Sequence, residues 1–123
     1  MISDVTDLEV YNRALQNLDK IYEFANSLPS NRYKLKDQLV RAAEGIPAHI
    51  AEGFGKKRNI KEAKRFWDIG MGSSDEVITH LRIGIMLAKR FPRIKASLGE
   101  QLVDEYKIIS KQLNRLITKW QKF

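Results

Sequence analysis

Six basic side chains occupy ten consecutive positions near the middle of the chain, and a single acid interrupts them. The last three lie at positions i, i+3 and i+4, which places them on one face of a helix. Cations gathered at a helix N-terminus, where the backbone amides also carry positive potential, are suited to bind phosphate. The run therefore predicts a surface for an acidic partner, above all nucleic acid. Its basic residues are Lys56, Lys57, Arg58, Lys61, Lys64 and Arg65.

A second basic stripe follows the helical repeat near the C-terminus. It consists of Lys107, Lys111, Arg115, Lys119 and Lys122. A solvated helix face explains this stripe, and we prefer that interpretation for it. For the 56–65 run, a membrane-surface patch or a protein-docking patch is the alternative to nucleic acid. No zinc-finger spacing, RNP-type aromatic strand or KH glycine loop is present, so binding should be directed to the backbone and tolerate many sequences.

Catalytic and metal-binding patterns are missing from the sequence. The chain has no cysteine, which excludes disulfides, thiolate catalysis and cysteine-based zinc sites. A di-iron bundle needs two Glu-x-x-His motifs, whereas His49 precedes Glu52 and His80 follows Glu76 by four residues. No G-x-S-x-G, Walker A or G-x-G-x-x-G motif occurs. We expect a protein that is not an enzyme and has no metal or cofactor; a metal-binding bundle enzyme is the alternative.

Composition describes a small folded protein with a basic surface. The chain has 123 residues, which predicts a single domain over 1–123. Lysine and arginine number 22 against 15 acids, giving a net charge of +7 that favours acidic partners. The N-terminus lacks a secretory pattern, and no segment approaches the roughly 20 apolar residues of a membrane span. Together with the lack of cysteine, these features predict a cytoplasmic protein with no membrane partner.

The helices that position these residues can be predicted from hydrophobic periodicity. Apolar residues recurring every three to four positions predict four helices, at about 7–28, 32–54, 60–89 and 97–122. The start of the last helix could instead lie near Pro92. No window has the period-two alternation of a strand. Because short connections make sequential helices antiparallel neighbours, the expected fold is all-α, an antiparallel up-down-up-down four-helix bundle.

Capping patterns support three of the helix starts. In each, a small polar residue is followed three positions later by a glutamate, the arrangement that satisfies exposed amides at a helix N-terminus. The pairs are Thr6 with Glu9, Asn59 with Glu62, and Ser97 with Glu100.

The third predicted helix carries more apolar surface than one core face requires. From Leu81 to Ala88, only Arg82 is polar. A helix that is apolar all round is usually covered on every side, so we expect a second buried face and hence a homo-oligomer. The predicted interface residues are Phe66, Met71, Ile78, Ile85 and Met86.

Residues 38–53 read Q-L-V-R-A-A-E-G-I-P-A-H-I-A-E-G and carry a family resemblance. They resemble the R-A-A-x-S-I-P-x-N-I-A-E-G signature of the 23S rRNA intervening-sequence proteins. The sequence departs from it at Gly45, where serine is common, and at His49, where asparagine is common. Further matching segments are Asp7-Leu8-Glu9-Val10, Leu28-Pro29 and Gly72-Ser73 followed by Glu76.

The resemblance implies a four-helix bundle that assembles into a homopentameric ring and has no catalytic residues. The accessory variability determinant proteins of diversity-generating retroelements look similar in fold and assembly; they bind nucleic acid and partner a reverse transcriptase. Two hypotheses follow. The first is a non-enzymatic, ring-forming accessory protein that binds RNA or DNA through the 56–65 run. The second is a protein-interaction scaffold, or adaptor for a reverse transcriptase, whose basic face docks an acidic protein.

Overall fold

The computed structural model describes residues 1–120, and within them the chain is helical with no strand. Short 3-10 turns at Val5–Asp7 and Ser30–Arg32 precede the first and the third helix. The helices are α1 (Glu9–Gln16), α2 (Leu18–Asn26), α3 (Tyr33–Gly55), α4 (Ile60–Leu87) and α5 (Ala96–Lys119). None of the helices in this part of the chain is long and apolar enough to cross a bilayer.

The first predicted helix is divided at Asn17 into α1 and α2. The backbone hydrogen bonds nevertheless run through the division, because the Asn17 amide donates to the Arg13 carbonyl at 3.1 Å and the Asn17 carbonyl accepts from Ile21 at 3.0 Å. The Asn17 side-chain amide donates to the Arg13 carbonyl and to Glu105 of α5, both at 3.0 Å. Asparagine side chains compete with the helix ladder in this way. Together, α1 and α2 therefore form one rod tied to α5.

The four rods form a closed square. α3 packs along α4 and α4 along α5, while α1 and α2 pack against both α3 and α5. Across α3 and α4, Trp67 bonds to Ile50, and Gly70 lies against Ile46 and His49, so the two helices run antiparallel. The prediction of an all-α four-helix bundle is confirmed. The largest side chains of its core are Trp67, Tyr106, Phe24, Ile21, Leu39, Ile46 and Ile50, which come from every rod.

Two of the three predicted capping boxes are wrong, and at the third only the Asn59 half forms, because the Glu62 carboxylate binds Arg65 instead. Asp4, rather than Thr6, caps the first turn, with its carboxylate accepting from the Thr6 amide at 3.1 Å. α5 begins at Ala96 without any side-chain cap, and Pro92 lies in the preceding loop. Tertiary contact replaces the cap there, because the Lys95 amide donates to Ser27 Oγ at 3.1 Å. The Asn59 cap is confirmed, since Asn59 Oδ1 accepts from the Glu62 amide at 3.1 Å.

α3 and α4 approach most closely near the turn that joins them. The Trp67 indole N–H donates to the Ile50 carbonyl at 3.1 Å, and the ring is fully buried against Gly53. A Cβ atom at position 53 would overlap that ring and would lie 2.9 Å from the Ala63 carbonyl oxygen. The glycine is required by this contact rather than by its backbone angle, because no glycine in the described residues has a positive φ.

Substituting Gly53→Ala should therefore destabilise the fold by about 1–3 kcal/mol, the usual cost of overpacking a rigid core. The matched control is Gly55→Ala, because a Cβ there meets nothing within 4 Å. We expect this control to be neutral or stabilising by up to about 1 kcal/mol. Urea denaturation of both variants measures the difference. Equal free energies of unfolding would show that the indole does not need the space at position 53.

Candidate nucleic-acid interface

The turn between α3 and α4 has a fixed backbone. α3 ends at Gly55 and α4 begins at Ile60. Within the turn, the Lys56 amide donates to the Gly53 carbonyl at 3.0 Å, and the Asn59 amide donates to the Lys56 carbonyl at 2.9 Å. The Asn59 cap then closes the first turn of α4. The cations of this region are consequently presented from an ordered scaffold.

The structure brings the six predicted cations together at one end of the bundle, on the turn and the first two turns of α4. We call this set the turn surface; it comprises Lys56, Lys57, Arg58, Lys61, Lys64 and Arg65. Lys57 and Lys64 are partly buried and the other four are exposed. Within residues 1–120, no carboxylate lies within 4.0 Å of the cationic groups of Lys56, Arg58, Lys61 or Lys64. The turn surface therefore carries uncompensated positive charge.

The one acid inside the run is engaged locally. Glu62 forms an ion pair with Arg65 at 3.1 Å, and this hydrogen bond lowers the pKa of the Glu62 carboxyl below its usual value. The same contact raises the pKa of Arg65. Both groups face solvent, where such pairs contribute little to stability. Glu62 thus offsets the charge of Arg65. Lys56, Arg58, Lys61 and Lys64 still have no carboxylate within 4.0 Å in the described residues.

Aromatic rings lie directly beneath the cations. The Arg65 guanidinium carbon is 4.7 Å from the centre of the Phe66 ring, and Lys56 Nζ is 5.9 Å from it. Lys57 Nζ lies 4.3 Å from the centre of the Phe54 ring. Phe66, which we predicted for an oligomer interface, lies under the turn surface, and its part in an interface stays a prediction. Its position next to Arg65 in the sequence was the signal for this cation–ring contact.

The second basic stripe runs along α5. Lys107, Lys111, Arg115 and Lys119 are all exposed, and Lys122 lies outside the described residues. Three of these cations line a shallow groove of about 450 Å³ with Ser110, Asn114 and Thr118. The Trp120 ring stacks edge-on against Trp67 at 5.2 Å, which holds the end of α5 beside the turn. Lys119 therefore lies at the same end of the bundle as the turn surface.

The outer face of α4 does expose apolar side chains. Met86 is 57% exposed, and Ile69 and Ile83 are about 40% exposed. Of the other predicted interface residues, Met71 and Ile85 are partly buried. Ile78 is only 9% exposed and belongs to the core of the single chain, so it offers little surface to a second copy. Sequence reasoning left Ile69 and Ile83 out of the predicted interface, although both follow the same helical repeat.

The histidines lie apart. His80 Nε2 is 3.1 Å from Glu76 Oε2 on α4, whereas His49 packs against Gly70, ten residues earlier on that helix. Ten helical residues span about 15 Å. Within residues 1–120, no three histidine or acidic side chains come together in a way that could hold a metal ion.

The model of a family described as "23S rRNA-intervening sequence protein" matches residues 6–115. The matched region includes the whole turn surface and all but the last residues of α5. No curated protein matches the chain.

The cap at Asn59 provides a direct check on the scaffold of the turn surface. Asn59→Ala should lower the free energy of unfolding by about 1 kcal/mol, because the Glu62 amide loses its acceptor. Asn59→Asp should retain most of the stability, since a carboxylate caps equally well. Asn114→Ala is the control, because Asn114 is an exposed residue within α5. If urea denaturation gives Asn59→Ala and Asn114→Ala the same free energy of unfolding, a structural role for this cap is contradicted.

Proposed function

The chain belongs to the family of 23S rRNA-intervening sequence proteins, and from this premise we propose that it is a non-enzymatic RNA-binding protein. The observation that carries the proposal is the turn surface, where four cations have no carboxylate partner in the described residues. Such a surface attracts a polyanion over several ångströms and releases its counterions on binding.

The geometry favours contact with the RNA backbone. The lysines are flexible point charges, and the first amides of α4 add positive potential at the same place. The Arg65 guanidinium, which lies over the Phe66 ring and is exposed, offers a flat cationic plane on which an unpaired base can stack whatever its identity. The protein should therefore bind single-stranded or looped RNA with little sequence preference.

Assembly forms the second half of the proposal. Ile83 and Met86, one turn apart, leave an apolar patch on the outer face of α4, and covering it with another copy would remove this surface from water. We propose the homopentameric ring that the resemblance implies. A ring repeats the turn surface once per subunit, so several weak contacts with one RNA act together.

Removing charge from the turn surface should weaken RNA binding and its salt dependence. We expect Lys61→Gln with Lys64→Gln to reduce the slope of log K against log salt by about 0.7–0.9 for each lysine that contacts a phosphate. Fluorescence anisotropy with a labelled single-stranded RNA, at several salt concentrations, measures the slope.

The matched control removes the same charge from elsewhere, as Lys20→Gln with Lys36→Gln. Both control lysines are exposed and lie outside the turn surface. Equal weakening by the two double variants would argue against a localised site. A wild-type protein that binds no RNA at low salt would reject the proposal and favour the scaffold hypothesis, in which an acidic protein such as a reverse transcriptase occupies the basic face.

Introducing charge on the outer face of α4 should dissociate the assembly. We expect Ile83→Glu with Met86→Glu to sediment as a monomer at micromolar concentration, because burying unpaired carboxylates is costly. Leu15→Glu is the control, since Leu15 on α1 is also exposed, at 42%. A wild type that is itself monomeric would contradict the ring, and dissociation by the control alone would place the interface on α1 instead.

A further inference from the structure

An open cleft lies at the end of the bundle opposite the turn surface. It is formed where the loop between α2 and α3 meets the loop between α4 and α5, and its volume is about 880 Å³. Volumes of this size accommodate small organic ligands. The residues with functional groups on its walls include Asn26, Ser30, Arg90, Phe91, Arg93 and Lys95.

Two of the cleft's cations are uncompensated. Lys95 Nζ, on the α4–α5 loop, pairs at 2.9 Å with Glu23 of α2, an acid that also lines the cleft. Arg90 and Arg93 are exposed, and no carboxylate of residues 1–120 lies within 4.0 Å of their guanidinium groups. Because residues 89–95 contain four basic residues and no acid, the mouth of the cleft is positive. The sequence analysis passed over this segment because Phe91, Pro92 and Ile94 interrupt the charges.

The two walls are fixed to each other. Ser27 Oγ accepts from the Lys95 amide at 3.1 Å and donates to the Phe24 carbonyl at 2.6 Å. Ile94 is 5% exposed and anchors the α4–α5 loop in the core. A cleft held open in this way loses little conformational entropy when a ligand enters, which favours binding.

We propose that this cleft binds a nucleoside phosphate. Arg90 and Arg93 present planar guanidinium groups, which bind phosphate oxygens in pairs. The partly buried Phe91 ring supplies an apolar face for the base, and the Asn26 amide and Ser30 hydroxyl supply hydrogen-bonding groups beside it. The ligand is either a free nucleotide or the phosphate-bearing end of a strand. This site is separate from the turn surface and does not depend on RNA binding there.

Calorimetric titration of the full chain with adenosine monophosphate, and with adenosine as the ligand without phosphate, tests the free-nucleotide source. We expect the monophosphate to bind more tightly, and Arg90→Gln with Arg93→Gln to weaken it by about tenfold for each arginine, as for other charge-assisted hydrogen bonds. Lys20→Gln with Lys36→Gln should leave the affinity unchanged. Circular dichroism verifies that both variants are folded.

A second arm compares short oligonucleotides with a 5′-phosphate and with a 5′-hydroxyl, to test the strand-end source. An arginine-dependent preference for phosphate in either arm supports the proposal and identifies the source. No such preference in either arm, or an equal loss with the lysine control, overturns it. Lys61→Gln with Lys64→Gln should leave the phosphate preference intact, so failure of the RNA-binding proposal and failure of this one give different results.

Discussion

The contact on which the arrangement of this bundle most depends is the buried Trp67 indole. A buried indole N–H needs an acceptor, and the Ile50 carbonyl provides it at 3.1 Å. Gly53 leaves the space for the ring, while Trp120 packs edge-on against it. One side chain thereby fixes the last turn of α3, the first turns of α4 and the end of α5 relative to one another. The basic turn projects from this junction, so its backbone geometry follows from the packing below it.

Polar contacts deeper in the bundle fix the axial register of the rods relative to one another. The buried Ser74 hydroxyl donates to the Tyr106 carbonyl at 3.0 Å, which fixes α4 against α5. Arg13 binds Glu105 at 3.0 Å, and the Asn17 amide reaches the same carboxylate, which fixes the first rod against α5. Partly buried polar pairs contribute more to register than to net stability, because desolvation offsets much of their attraction. With the register fixed, the two loops that form the far cleft must meet.

Hydrophobic periodicity was sufficient to predict the helical fold, because each rod must bury one stripe and the stripe repeats every three to four residues. The Asn59 cap was also predictable, since it involves neighbours in sequence. Features that depend on residues distant in the sequence were not predictable. The division at Asn17 requires Glu105, and the start of α5 is held by Ser27 rather than by its own cap. The placement of Phe66 beneath Lys56 likewise depends on how the turn folds back over α4.

The distribution of charge explains why both ends of the bundle are positive. Along the sides, several acids pair with bases of the same or an adjacent rod; Arg13 bridges Glu9 and Glu105, and Arg41 binds Asp37 at 3.0 Å. In the two end loops, Lys56, Arg58, Arg90 and Arg93 have no carboxylate of residues 1–120 within 4.0 Å, so much of the net charge is concentrated there. The ends differ in shape, however. Flexible lysines on a turn suit an extended polyanion, whereas two arginines in a fixed cleft suit one phosphate group, and for this reason we propose a different ligand for each end.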